Sequence, residues 1–246
     1  MLLGVKVVVV VPAFEEAPRI GRVLHGMPPF VDHVIVVDDA SLDGTSDATR
    51  DAARSLGDAR IQVVVHRENG GVGAAITTGY LRAQELVGSS LAAFVVMAGD
   101  GQMDPSDLPA LVRPIADGRA DYVKGCRFDW PNARANMPAT RWLGGWGFSW
   151  LTSHAIGQPI RDSQCGYTAL SAAASARLDL AGLWPGYGYP NDILGQLAVR
   201  KLRIVEVPVR PIYADEVSRL RVRHLPTISA LVARAWLRRV SGGTWP

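Results

Sequence analysis

The 246-residue sequence predicts an α/β fold, with a mainly parallel, doubly wound sheet flanked by helices and a C-terminal amphipathic helix. Three observations carry that expectation. Short β-branched apolar runs alternate with helical patterns through the first half of the chain. Acids and glycines collect just after each run, at the strand ends where such sheets bind ligands. Charge is also divided: residues 199–246 hold ten Lys/Arg against three acids, and the other 198 residues hold sixteen against twenty.

In chain order, strands are expected at 5–11, 33–38, 61–65 and 92–97, and helices near 16–26, 45–56, 72–87 and 106–117. The run Val7–Val11 is too short for a signal peptide, and Pro12 reads as its stop. Residues 127–160 are rich in Trp, Gly, Pro and Asn, with weak periodicity. They read as a long functional loop followed by a helix at 140–155. Trp130, Trp142, Trp146 and Trp150 suit either an interfacial belt or ordinary core packing. A helix at 190–200 precedes a strand at 203–209. Over 225–240, Ile228, Leu231, Val232, Ala235 and Trp236 share one helical face, and Arg234, Arg238 and Arg239 lie largely elsewhere. An interfacial membrane helix and a surface helix docked on the domain both fit that pattern. The division expected is one domain over 1–222 and a basic amphipathic tail over 223–246, a candidate membrane-surface anchor.

Composition removes several classes. With 48% hydrophobic and 20% charged residues the chain is not disordered. Cys126 and Cys165 form no CxxC, so neither a disulfide framework nor a zinc site is expected, and a reducing compartment is the default. No stretch approaches the ~20 apolar residues that span a bilayer. The basic tail calls for an anionic partner. Without an aromatic-interleaved basic motif, a membrane surface is expected rather than nucleic acid.

Each strand end carries its own signal. After the first comes VPAFEE, with Phe14 and Glu16 at a strand-to-helix turn; an acid there also suits a helix dipole. After the second comes VVDDASLDGT. Asp38 and Asp39 repel one another unless a cation or hydrogen-bond donor is bound, whereas Asp43 and Thr45 read as turn and cap. After the third, ENGGVGAAITTGY brings Asn69, Gly71 and Gly73 to a helix start, as a phosphate would require. The glycine spacing breaks the GxGxxG fingerprint, which disfavours a nicotinamide oxidoreductase. After the fourth comes VMAGDGQMDP, where Gly99, Asp100 and Gln102 offer hard oxygen ligands for a divalent cation.

Together with VKGCRF, RDSQCGYTAL, YGYPNDILGQLA and VPVRPIYADEVSR, these segments resemble, in order over roughly 5–220, the GT-A domain of glycosyltransferase family 2. The likeness is greatest to its dolichol- and polyprenyl-phosphate sugar synthases. The resemblance implies a GT-A (Rossmann-like) fold and a nucleotide-sugar donor held by Pro12, Phe14, Glu16, Asp38, Asp39, Asn69, Gly71, Gly73, Gly99 and Asp100. It implies Mg²⁺ or Mn²⁺ on Asp100 and Gln102, and an acceptor phosphate met by Arg127, Arg141, Ser218 and Arg219. Three positions depart from the family: Ala98 replaces the first acid of Asp-x-Asp, Val72 a lysine, and Thr168 an arginine.

The expected chemistry is inverting displacement by a lipid phosphate, which is already ionised and needs no strong base. Asp100 and Arg127 carry it. Asp192 is either a sugar contact or base, or a helix N-cap. Asp162 is either a site acid or a turn former. The expected place of action is the cytoplasmic face of the membrane, peripherally, with a homo-oligomer left open. Competing readings are a family member with a non-lipid glycan acceptor and a non-catalytic nucleotide-sugar-binding protein, the latter motivated by Ala98.

Overall fold

A computed structural model describes residues 1–131, 133–137, 139–212 and 224–242. The first half follows the expected alternation: β1 (Lys6–Ala13), α1 (Ala17–His25), β2 (His33–Asp38), α2 (Thr45–Leu56), β3 (Ile61–Val65), α3 (Val72–Val87), β4 (Ala92–Val96) and α4 (Leu108–Ala116). Then come β5 (Tyr122–Cys126), the short α5 (Ala133–Asn136), α6 (Ala139–Ile156), β6 (Thr168–Ser171), the short α7 (Ala172–Ser175), α8 (Tyr189–Val199), β7 (Ile204–Pro208) and α9 (Leu225–Val240).

The strands form one sheet in the order β3-β2-β1-β4-β6-β5-β7. All neighbours are parallel except β6, which runs antiparallel to both β4 and β5. Alternation along the valine runs sorts side chains to two layers. Val8, Val10, Ile35, Val37, Phe94 and Val96 pack with α3, α8 and α9. Val7, Val9, Val11, Val34, Val36 and Val95 pack with α1 and α4. Pro12 does not stop β1: Pro12 and Ala13 stay in register with Val37 and Asp38 of β2. Pairing with β4 does end at Val10, as a residue without an N–H permits. The chain order reverses between β1 and β4, which makes their carboxyl ends the switch-point crevice.

The apolar stripe of α9 docks on the domain. Ile228, Leu231, Val232 and Ala235 are buried. A methyl group on Gly195 of α8 would lie 2.8 Å from the Ala235 Cβ, so the two helices cross in near-backbone contact. The stripe read from the sequence as a candidate membrane face is thus covered by protein, although Trp236 stays 47% exposed. Among the described residues no helix is long and apolar enough to cross a membrane.

Candidate active site

Ala13, the last residue of β1, is the hub of the switch-point crevice. The Asp39 N–H donates to its carbonyl (2.9 Å), and the Gly99 N–H donates to that of Pro12 (3.1 Å). A side chain at Gly99 would press on Ala13 and Ile20. The loop after β1 is bolted to the loop after β2: Glu15 N–H to Ser41 Oγ (2.9 Å), Glu16 N–H to Thr45 Oγ1 (2.8 Å) and Ala17 N–H to Asp43 Oδ2 (3.0 Å). Burial alone would raise the Asp43 carboxyl, yet the Thr45 hydroxyl and the Ala17 amide leave it below its ordinary value. Asp43 closes the turn as expected, accepting from the Thr45 N–H (3.0 Å), but the N-cap of α2 is Gly44 and no side chain caps the helix. Pro12, Phe14, Glu16, Asp38, Asp39, Gly99 and Asp100 are thereby brought to one crevice.

The adjacent carboxylates Asp38 and Asp39 are reconciled without a ligand, because neighbours at a strand end point to opposite sides. Asp38 accepts from the Ser41 N–H (3.0 Å), closing the turn through Ala40. Asp39 accepts from Gly70 N–H (2.9 Å), Gly71 N–H (2.7 Å) and His66 Nδ1 (2.7 Å), and Asn69 Nδ2 donates to its carbonyl (3.2 Å). Three of the roughly four acceptor positions of that carboxylate are therefore filled. Asp39 holds the glycine loop, and His66, itself braced on Thr78 Oγ1 (2.9 Å), supports it from behind. Glu16 is buried, and its carboxylate pairs with Arg19 at 2.9 Å.

The glycines of this loop lie against a strap over residues 184–186. Gly71 adopts φ +91°, and a Cβ there would meet the Pro185 carbonyl oxygen at 2.7 Å. A Cβ at Gly73 would meet the Trp184 carbonyl oxygen at 2.1 Å. The Ala74 N–H in the first turn of α3 donates to Pro185 O (3.0 Å). The strap over 184–186 leaves no room for a side chain at either position.

Asp192 holds that strap. It does not cap α8, whose N-cap position is Gly188. At 1% exposure, its Oδ2 accepts from the Trp184 N–H (2.9 Å) and its Oδ1 pairs with Arg238 of α9 at 2.7 Å, with Arg234 at 3.7 Å. The carboxylate is thus engaged by the strap and covered by the tail helix. Arg238 and Trp184 were not legible as its partners, since nothing local in the sequence links them.

Asp100, by contrast, stands half-buried just beyond β4. Its Oδ1 accepts from the Gln102 N–H (3.0 Å) across a turn through Gly101 at φ +76°. Loop 100–105 is tied to β6 by the Tyr167 hydroxyl, which donates to Asp104 O (2.8 Å). The described residues contain no group of three His, Cys, Asp or Glu arranged to hold a metal. One carboxylate with an adjacent amide fits a cation that brings most of its ligands with it, as a metal–diphosphate does, and does not fit a bare ion.

Arg127 leaves β5 along the same edge, two strand spacings or roughly 10 Å from β4. Asp162 grips it through Nε (2.7 Å), Nη2 (2.9 Å) and the backbone N–H (3.1 Å). Asp162 is fully buried, whereas the Arg127 side chain keeps 29% exposure. Burial pushes the Asp162 carboxyl up, but Arg127 and the buried Lys124 outweigh it and hold it below the ordinary carboxylate value. Glu206 then accepts from the N–H groups of Arg161 (2.8 Å) and Asp162 (2.9 Å). Asp162 is more than a turn former: it aims the guanidinium. Arg141 falls on α6 with its side chain outside the described structure, and Ser218 and Arg219 lie outside the described residues.

This edge matches known proteins. The model of glycosyl transferase family 2 matches residues 8–177. The chain is 30% identical over 217 residues to a UDP-N-acetylglucosamine–dolichyl-phosphate N-acetylglucosaminyltransferase of Methanococcus voltae, covering 84% of this chain and 85% of the relative. It is also 30% identical over 209 residues to an undecaprenyl-phosphate mannosyltransferase of Micrococcus luteus (83% and 82%). In three dimensions it is similar to glucosyl-3-phosphoglycerate synthase of Mycobacterium tuberculosis, solved with Mn²⁺, UDP and glucosyl-3-phosphoglycerate. The TM-score is 0.66 at 20% identity, over 99% of this chain and 81% of that one. The fold and crevice are those of a GT-A glycosyltransferase. The chain belongs to glycosyl transferase family 2, on the side of the family similar to the dolichyl- and polyprenyl-phosphate sugar transferases.

Proposed function

We propose that this enzyme transfers a sugar from a nucleotide-sugar to a polyprenyl or dolichyl phosphate, acting peripherally at the cytoplasmic face of a membrane. A UDP-sugar such as UDP-glucose or a UDP-N-acetylhexosamine is favoured, with GDP-mannose as runner-up. The observation that carries the reading is the pairing of functions along one sheet edge. Asp100 is a part-exposed carboxylate at the β1/β4 switch point, and Arg127 is a part-exposed guanidinium aimed by a buried acid.

The donor lies across Pro12–Ala13 and the glycine loop, with its diphosphate towards Asp100. Asp100 and Gln102 would hold Mg²⁺ or Mn²⁺, which supplies charge neutralisation at the departing diphosphate. Arg127 presents donors to the acceptor phosphate in a fork that suits its oxygens. A phosphate oxygen forms the new bond to the anomeric carbon as the bond to the nucleoside diphosphate breaks, with inversion. The phosphate monoester is already ionised near neutral pH, so no side chain need take a proton. That agrees with Asp192 being occupied elsewhere. Positioning and electrostatics carry the rate.

The purified chain, given Mn²⁺ or Mg²⁺, a short polyprenyl phosphate and a panel of UDP- and GDP-sugars, is expected to form one glycolipid detectable by mass spectrometry. Asp100→Ala should abolish it. A second reading draws on the fold likeness to a synthase named for a soluble phosphorylated acceptor: product that stays in the aqueous phase on organic extraction would favour it. Nucleotide binding with no transfer to either acceptor would sink both readings.

A further inference from the structure

With the stripe of α9 covered, an apolar face left exposed among the described residues is that of α6. Leu143 (69% exposed), Trp146 (62%), Trp150 (52%) and Leu151 (44%) lie on its outer side, with Gly144 and Gly147 open to solvent between them. They recur at i, i+3 and i+7, and the opposite side of the helix (Ser149, Thr152, Ala155, Ile156) is buried in the domain. Trp150 is stacked against His154 with ring centroids 4.2 Å apart. Three large apolar side chains in one solvent-facing row mark an interaction surface rather than scatter.

Charge decides what covers it. From 130 to 161 and from 217 to 246 the sequence contains no Asp or Glu, and the two stretches carry nine arginines. Arg134 on α5, the helix that precedes α6 in the chain, and Arg239, which reaches back to Gly157 at the end of α6, are exposed. Arg161, Arg234 and Arg238 are already paired with Asp129, Glu206 and Asp192, but Arg134 and Arg239 leave positive charge here that a second copy would set against itself. An anionic lipid surface answers both features, since tryptophan rings settle at headgroup depth and arginines meet phosphate.

We infer that the outer face of α6, and not the C-terminal helix, is the element that seats this protein on an anionic bilayer. The placement deepens the lipid-acceptor reading. Phe128, next to Arg127, packs its ring against Trp142 (centroids 4.8 Å) and beneath Gly145 of α6. A membrane held by α6 is therefore held beside the arginine aimed at the acceptor phosphate.

The full chain is spun with sucrose-loaded vesicles of phosphatidylcholine with phosphatidylglycerol, and with phosphatidylcholine alone. Wild type is expected to sediment with the anionic vesicles and far less with the neutral ones. Trp146→Ser/Trp150→Ser should lower partitioning by about tenfold or more, since two large apolar side chains no longer leave water. Leu91→Ser, at an exposed apolar residue (75%) on the opposite end of the sheet, should leave it unchanged. All variants are checked for unaltered circular dichroism and nucleotide binding. Equal binding by the double variant and wild type would overturn the assignment. So would indifference of wild type to vesicles, or a wild-type dimer that the double variant converts to monomer. The assay needs no substrate. Vesicle binding without glycolipid synthesis would count against the acceptor reading alone, and synthesis in detergent by a chain that ignores vesicles would count against docking alone.

Discussion

Asp192→Ala separates a structural from a chemical role for an acid the sequence offers as a catalyst. The carboxylate is 1% exposed and Arg238, 2.7 Å away, is 12% exposed, so truncation leaves a guanidinium nearly out of water with no counter-charge. Breaking such a pair from one side costs about 3–5 kcal/mol. Arg234, at 3.7 Å and 32% exposed, is the more distant and better-solvated partner and adds little. The Trp184 N–H also loses its acceptor, on the order of 1–3 kcal/mol if taken alone and overlapping with the first term. The expected loss is therefore about 3–5 kcal/mol, against total stabilities of roughly 5–15 kcal/mol for ordinary domains. Asp192→Asn keeps an acceptor for Trp184 and loses less. Asp192→Leu/Arg238→Met removes both charges and should recover most of the difference. Urea unfolding followed by circular dichroism, with nucleotide binding on the same samples, gives the cycle. A loss below about 1 kcal/mol together with abolished turnover would refute the argument and return Asp192 to the substrate.

Gly73→Ala forces a methyl group to within 2.1 Å of the Trp184 carbonyl and is expected to cost about 1–3 kcal/mol and weaken nucleotide binding. Gly144→Ala, with nothing within 4 Å, should stabilise α6 by up to roughly 1 kcal/mol; urea midpoints read both. Asp162, depressed in the folded state by Arg127 and Lys124 against burial, contributes stability that is complete above its unfolded pKa, near 3.9, and is lost as pH falls through the lower folded value. Wild type should lose stability on that acid limb, and Asp162→Asn should flatten it in urea midpoints taken across pH. Burial and neighbouring carboxylates push the Cys126 thiol up to about 12, and burial raises Cys165. Neither should react with a disulfide reagent at neutral pH until the chain is denatured; rapid native labelling would contradict the packing.

The parallel half of the sheet was legible because each strand is a short, mostly apolar run rich in valine and followed by its own turn chemistry. β5 and β6 were not. β5 reads YVKGC, where the buried Lys124 donates to the Cys165 carbonyl and breaks the apolar pattern. β6 is four residues long and slots between β4 and β5 out of chain order, and nothing local in its sequence marks that. The site shows the same division. Positions could be read from motifs, but partners could not, because Asp39 finds His66, Ala74 finds Pro185 and Asp192 finds Arg238 only through the fold. The packing reason for Gly73 was hidden in the same way: the atom that excludes a side chain there belongs to a strap over a hundred residues away.

Those partners change what the acids do. Asp38, Asp39, Asp162 and Asp192 each spend their oxygens on backbone amides or arginines of the scaffold, and each fixes a loop or side chain that borders the crevice. A loop held by a buried carboxylate is already ordered before a donor arrives, so less conformational freedom is lost on binding and more of the contact energy goes to orienting the reacting atoms. Removing such an acid is expected to alter binding and rate together, so loss of activity alone cannot name a catalytic residue here. Asp100 stands part-exposed at the switch point, and its Oδ1 accepts from the Gln102 amide two residues along the same loop. The direct role proposed for Asp100 is therefore tested by turnover measured beside folding and nucleotide binding, not by activity alone.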